Sequence, residues 1–124
     1  MVQAARGCEL EVERGPDWLF VRPHGASLFG RETELADQVW NLLEQCTTHR
    51  LVLELDDLGP LVSAMIAQLM LLQKRISGQG GLMRLCGLSA ANQRVLATCR
   101  LNGYLAQYNN RTEALMGARP VQPR

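Results

Sequence analysis

Lysine is almost missing from this chain: of 13 basic residues, only Lys74 is not an arginine. Set against 12 acidic residues the formal charge is +1, and the arginines are scattered. The basic surface of a general nucleic-acid binder is therefore lacking, and no nucleic-acid partner is expected. Long apolar runs are missing too. None approaches the ~18 residues that a membrane-spanning helix requires, and Met1 to Val12 has no secretory-type apolar stretch. The expectation is a cytoplasmic protein with no membrane insertion. Cys8, Cys46, Cys86 and Cys99 lie far apart, without a C-x-x-C pair or a neighbouring histidine, so a zinc site has no template. Cys46, Cys86 and Cys99 sit among apolar residues and read as small buried hydrophobes, kept reduced in a cytosol. His24 and His49 flank predicted elements without a partner acid or cysteine and read as structural or surface residues. A phosphate loop is also absent. Gly78-x-Gly80-Gly81 precedes a strand, whereas a dinucleotide fingerprint follows a strand and opens a helix. No catalytic residue, metal ligand or cofactor site is assigned, and the chain is read as a non-enzyme.

What is present is an ordinary globular balance, 47% hydrophobic and 20% charged. A chain of 124 residues forms one domain and buries roughly two-thirds of its unfolded surface. Cys8 to Glu13 alternates apolar and charged residues, the period-two signature of a half-buried strand. Gly15-Pro16-Asp17 is a turn, and Trp18 to Arg22 completes an antiparallel hairpin. From about Glu32 the residues Leu35, Val39, Leu42, Leu43 and Cys46 recur at helical spacing. Leu51 to Leu55 is a short apolar run, as in a buried parallel strand. A loop, Asp56 to Pro60, precedes a helix over Ala64 to Ile76 that Gly78 stops. Leu82 to Cys86 is a further strand. Ser89 is the predicted N-cap of the next helix, and Tyr104 to Tyr108 is compatible with a last strand. Asn110 and Glu113 have capping-box spacing for a terminal helix through Met116. The expected fold is α/β: a mixed sheet with an N-terminal antiparallel hairpin, followed by β-α crossover units, and four helices. Residues 1–7 read as an N-terminal arm, 8–116 as the domain and 117–124 as a flexible tail.

One position has functional geometry. Ser63 follows a strand and loop and stands at the start of the apolar helix. Free N–H groups and a positive dipole end there would suit a phosphate, so Ser63 is the phosphoacceptor candidate. Its hydroxyl could instead simply cap the helix, and position alone favours the cap. Asp56 and Asp57 could hold Mg²⁺, but adjacent carboxylates before a Gly-Pro more commonly form a solvated turn.

The element order, with a serine at the start of the second helix, resembles the STAS domain of bacterial anti-sigma-factor antagonists. Three stretches carry the resemblance. Leu51-Val52-Leu53-Glu54-Leu55-Asp56-Asp57-Leu58 is like the family's central strand and the loop to its phosphorylation site. Gln73-Lys74-Arg75, then Gly80 through Ser89, is like its helix end, glycine turn, strand and third-helix start. Val95-Leu96 through Leu101, Tyr104-Leu105, Tyr108 and Glu113-Ala114-Leu115 is like its closing strand and helix. The resemblance implies a non-enzymatic protein-interaction module that binds an anti-sigma factor or serine kinase and controls sigma-factor-dependent transcription. It also implies phosphorylation of a serine at the start of the second helix as the switch. Where the family reads Asp-Ser-Ser/Thr-Gly, this chain has Val62-Ser63-Ala64-Met65. Another family aspartate, in the loop before the first helix, falls near Leu28. The switch is thus lost or altered, and the rim of the site is expected to be apolar. Partner-binding candidates are Asp56, Asp57, Leu61, Ser63 and Met65, the two apolar residues contributing if exposed and otherwise packing in the core. Within the same fold, the alternative is a structural subunit of a stress-signalling scaffold or of a transporter or lipid-transport complex. Whether the chain forms a homodimer stays open.

Overall fold

The computed structural model describes residues 2–4 and 9–117. Six strands form one sheet in sequential order: β1 (Val2–Ala4), β2 (Glu9–Arg14), β3 (Leu19–Pro23), β4 (Arg50–Glu54), β5 (Leu82–Cys86) and β6 (Gln107–Tyr108). β1, β2 and β3 pair antiparallel, with Val2 opposite Glu11 and Val12 opposite Val21. From β3 to β6 all pairing is parallel. The expected mixed sheet with an N-terminal hairpin is present, extended by β1, which falls within the segment read as an arm. Residues 5–8, which include Cys8, and 118–124, most of the expected tail, lie outside the described residues.

Five helices connect and cover the strands: α1 (Gly25–Leu28), α2 (Leu35–Gln45), α3 (Ser63–Gly78), α4 (Ala90–Thr98) and α5 (Arg111–Met116), with a 3₁₀ turn at Glu32–Glu34 before α2. The one-turn α1 lies where the sequence predicts only a loop, because four residues are too few for a periodic pattern to show. Strand side chains alternate between faces, and the two faces have different cores. Leu19, Val21, Leu51, Leu53 and Leu85 pack with Val39 and Leu43 of α2, Leu69 and Leu72 of α3 and Leu96 of α4 in one large apolar cluster. On the other face Phe20, Val52, Cys86 and Tyr108 pack with Ala114 of α5.

Side chains from neighbouring elements complete several helix ends. No side chain at the N-cap of α2 makes a capping bond, but Gln68 of α3 reaches across and accepts from the Ala36 N–H at 2.9 Å. Ser89 caps α4 as expected, accepting from the Asn92 N–H at 3.1 Å. Asn110 caps α5 through the Glu113 N–H at 2.9 Å, while Glu113 reaches back to the N–H of Asn109 at 3.4 Å rather than to that of the cap. Gly117, with φ +65°, ends α5 in the left-handed region that favours glycine. Two expectations need correction. The predicted strand over Tyr104 to Tyr108 shrinks to two residues, because the N–H groups of Tyr104 and Leu105 both turn back to the Leu101 carbonyl. Cys99, read as buried, is exposed, whereas Cys86 is buried and Cys46 lies between; Cys99 follows the last residue of α4, where the chain turns to the surface.

Candidate functional site

The carboxyl ends of β3, β4 and β5 carry the loops that hold the predicted site. In open α/β sheets ligands bind outside this edge, in the crevice where strand order reverses. Here the order is sequential, so the sheet has no such reversal point. Close backbone contacts fix the loops. The Gly25 N–H donates to the Asp57 carbonyl at 3.1 Å, and a side chain at Gly25 would collide with that carbonyl. Gly87, with φ +76°, leaves the space that the Asp56 carboxylate occupies.

The two aspartates diverge. Asp56 faces Arg22 at 3.9 Å, and Asp57 faces Nδ1 of His24 at 3.2 Å. Both are exposed, and they do not form a paired carboxylate site. His24, read from the sequence as lacking an acidic partner, has several. Besides Asp57 it faces Glu11 at 3.2 Å and Glu9 at 4.0 Å through Nε2. These acids come from β2 and from the loop after β4, contacts invisible to local sequence. They address opposite edges of the ring rather than one point, and among the described residues no group of three or more His, Cys, Asp or Glu is arranged to hold a metal ion.

Ser63 is exposed and is the first residue of α3. The N-cap position belongs to Val62, which has an extended backbone and makes no capping bond. The expected cap role of Ser63 is therefore corrected: the chain enters the helix one residue earlier, and the serine hydroxyl has no hydrogen-bond partner among the described residues. Leu61 and Met65 are buried in the core, so the condition for their contributing docking surface is not met. Leu28 is buried as well, and the exposed apolar residue of its loop is Phe29, at 89%. Val62, at 47%, does stand on the rim. Between them runs a groove of about 270 Å³, walled by Leu28, Phe29, Leu58, Pro60, Val62 and Met65, with Glu32 at its edge. The side chains of Phe29 and Val62 make the apolar rim that the sequence placed at Leu28 and Val62.

Asn92 holds this surface in place, and sequence reading missed it. It is 2% exposed; its Oδ1 accepts from the Leu61 N–H at 3.0 Å and its Nδ2 donates to the Gly59 carbonyl at 3.0 Å. The signal was an amide at an inward position of α4, four residues before buried Leu96. Behind the loop, Glu54 is 4% exposed and is gripped by Arg111 through Nε and Nη2, with Arg22 3.5 Å away. Arg111 also donates to Glu13 at 2.7 Å and lies over the Phe20 ring. The hydrogen bond to Glu54 raises the Arg111 pKa still further. Burial first, then the Glu54 and Asp56 carboxylates, push the Cys86 thiol up to about 12, which leaves it an inert packing group.

A three-layer arrangement, with three long helices on one face of a sequential mixed sheet and one short helix on the other, defines a single α/β domain. The STAS domain family matches residues 9–114, and the chain belongs to that family. A Thermotoga maritima protein assigned as an anti-sigma-factor antagonist superposes with a TM-score of 0.77 at 18% identity, over 88% of this chain and 93% of its own. A chain from the stressosome, a signal integration and transduction hub, gives 0.73 at 16% identity over 86% and 94%. An anti-sigma-factor antagonist of Mycobacterium paratuberculosis gives 0.72 at 16% identity over 93% and 97%. At these identities the likeness is one of fold. No curated protein matches the sequence.

Proposed function

We propose that this STAS protein is a non-enzymatic binding module of the anti-sigma-factor-antagonist kind, which docks an anti-sigma factor or serine kinase on the surface around Ser63. The observation that carries the reading is the exposed pair Phe29 and Val62, standing over an apolar groove beside an unbonded serine hydroxyl. An exposed phenylalanine is the kind of aromatic anchor that dominates protein interfaces. Asp56 and Asp57 border the surface and give the partner a charged edge to meet. Docking rests on apolar contact, in keeping with Val62 and Ala64 standing where the family has polar residues. Ser63 remains the phosphoacceptor candidate: a phosphate there would bring about two negative charges into an apolar contact, and docking would fail for want of solvation.

The test is co-purification from the native host, identification of the bound protein, and titration with variants. Phe29→Asp and Val62→Asp are expected to abolish affinity with the fold intact, Ser63→Asp to weaken it, and Ser63→Ala to leave it unchanged. Full affinity in both Phe29→Asp and Val62→Asp would remove this surface from the interface. The likeness to a stressosome chain favours one second reading, a scaffold subunit. In that case the native protein elutes as a large particle, and the same two variants leave that particle intact.

A further inference from the structure

Phe29 is displayed by a rigid turn. Its backbone (φ −57°, ψ 118°) and that of Gly30 (φ +75°) give the two central residues of a type II turn. The Arg31 N–H closes it by donating to the Leu28 carbonyl at 2.7 Å. The second central position of such a turn needs a positive φ, which Gly30 supplies. Behind the turn, the Ser27 hydroxyl donates to the His24 carbonyl and accepts from the Glu9 N–H, each at 2.7 Å. Leu28 is buried in the core. The aromatic ring is thus held outward by a fixed backbone, ready before any partner arrives.

The groove beside this ring has one charged wall residue. Leu28, Leu58, Pro60, Val62 and Met65 are apolar, and Glu32 stands alone among them. Glu32 is half-buried. Among the described residues its carboxylate makes no ion pair and no hydrogen bond, and neighbouring Arg31 faces Glu34 at 3.6 Å instead. Water solvates that carboxylate while the groove is open. An occupant that covers the groove strips this water away, and a charge covered without a counter-charge is heavily penalised. The occupant therefore has to bring a cation to Glu32. Its backbone form is constrained as well. An extended segment gains affinity by pairing with a free sheet edge, but the edges here are β1 and β6. The groove lies between the α1 turn and the start of α3, beyond the carboxyl ends of β3 and β4. A helix, whose backbone groups are already paired, suits an apolar groove with no ladder to join.

We propose that the segment docking here is a partner's amphipathic helix, which sets apolar side chains between Phe29 and Val62 and an arginine or lysine, three or four residues along, on Glu32. The inference rests on the docking surface proposed above and adds the chemistry of what enters it. Side chains three or four residues apart share one face of a helix, so a single helix reaches both the groove and the carboxylate. An arginine would engage Glu32 through two N–H groups of its planar fork. Glu32 is then the specificity-determining residue, because it repels a helix that carries an acidic residue at that point.

Selection from a displayed library of helical peptides, randomised on one face and bound to the intact protein, tests this. The native protein should select peptides with Arg or Lys three or four residues from a large apolar anchor, and Glu32→Arg should select Asp or Glu at that point. For one synthesised peptide from the native selection, Glu32→Gln should weaken binding about tenfold, the loss of one charge-assisted contact. Phe29→Asp should abolish its binding. Glu44→Gln, at the far end of α2, should leave it unchanged, which separates a local pair from general attraction between opposite charges. Equal melting temperatures verify that the variants fold. Peptides that need Phe29 and Val62 but show no basic preference, or that bind Glu32→Gln undiminished, overturn the inference and leave the docking surface standing. Peptides indifferent to both Phe29→Asp and Val62→Asp remove the docking surface and the inference with it. Selection of no groove-dependent peptide, or a dimer of the protein alone that Phe29→Asp dissolves, gives the groove another occupant and overturns the inference too.

Discussion

Replacing Asn92 by alanine should loosen the candidate docking surface without touching it. The carboxamide bridges α4 to the loop after β4, accepting from the Leu61 N–H and donating to the Gly59 carbonyl, each at 3.0 Å. Each neutral hydrogen bond contributes a net ~0.5–1.5 kcal/mol, and a buried donor left unpaired costs a further ~1–3 kcal/mol. Gly59 is exposed, so water can satisfy its carbonyl, but Leu61 is buried and its N–H stays orphaned. The expected loss is therefore ~2–4 kcal/mol, within the ~5–15 kcal/mol total stability of a domain, and the variant still folds. Urea denaturation reads the loss as a shifted midpoint with unchanged slope. Amide exchange reads its location, since Leu61 should exchange faster while core strand amides keep the rank they had. A midpoint shift worth less than ~0.5 kcal/mol, or undiminished protection at Leu61, would refute the bridging role.

Leu69, fully buried between α3 and the sheet, should cost ~2–5 kcal/mol on replacement by alanine, measured by the same denaturation. Arg111→Ala leaves Glu54 buried with only Arg22 nearby at 3.5 Å. Its loss, read by thermal melting, should fall somewhat below the ~3–5 kcal/mol of a wholly uncompensated buried charge. Cys86 titrates near 12 when folded against an ordinary 9.0. Between those values the unfolded chain gives up a proton that the native state keeps, so stability falls with rising pH by up to ~1.4 kcal/mol per unit. That slope should be missing from Cys86→Ala measured over the same range, and alkylation near neutral pH should modify Cys99 well before Cys86.

The features legible in the sequence were those set by local pattern. The apolar runs at Leu51–Leu55 and Leu82–Cys86 and the helical stripe from Leu35 to Cys46 needed no partner to be recognised. The caps Ser89 and Asn110 were equally plain, because a cap is chosen within one turn. Less was legible where the chain is decided at a distance. Tyr104 and Leu105 have strand-like composition, yet their N–H groups close a turn onto Leu101. Ser63 looked like a cap because serine favours that position, but the extended backbone at Val62 moves the helix start past it. The site was half visible. Val62 could be placed on the rim only through the resemblance to the family's motif, whereas the exposure of Phe29, with Leu28 turned inward, depends on the one-turn α1. Asn92 to Leu61 and His24 to Asp57 span more than thirty residues, and no local spacing announces such pairs.

The most direct test of the docking surface is site-specific photo-crosslinking in the native host, with a benzophenone side chain at Phe29 and, as control, at Arg14 on the opposite end of the sheet. The expected result is a covalent adduct from position 29, identified by mass spectrometry as an anti-sigma factor or serine kinase, and no such adduct from position 14. A membrane transporter captured at position 29, or the regulatory partner captured only at position 14, would contradict it.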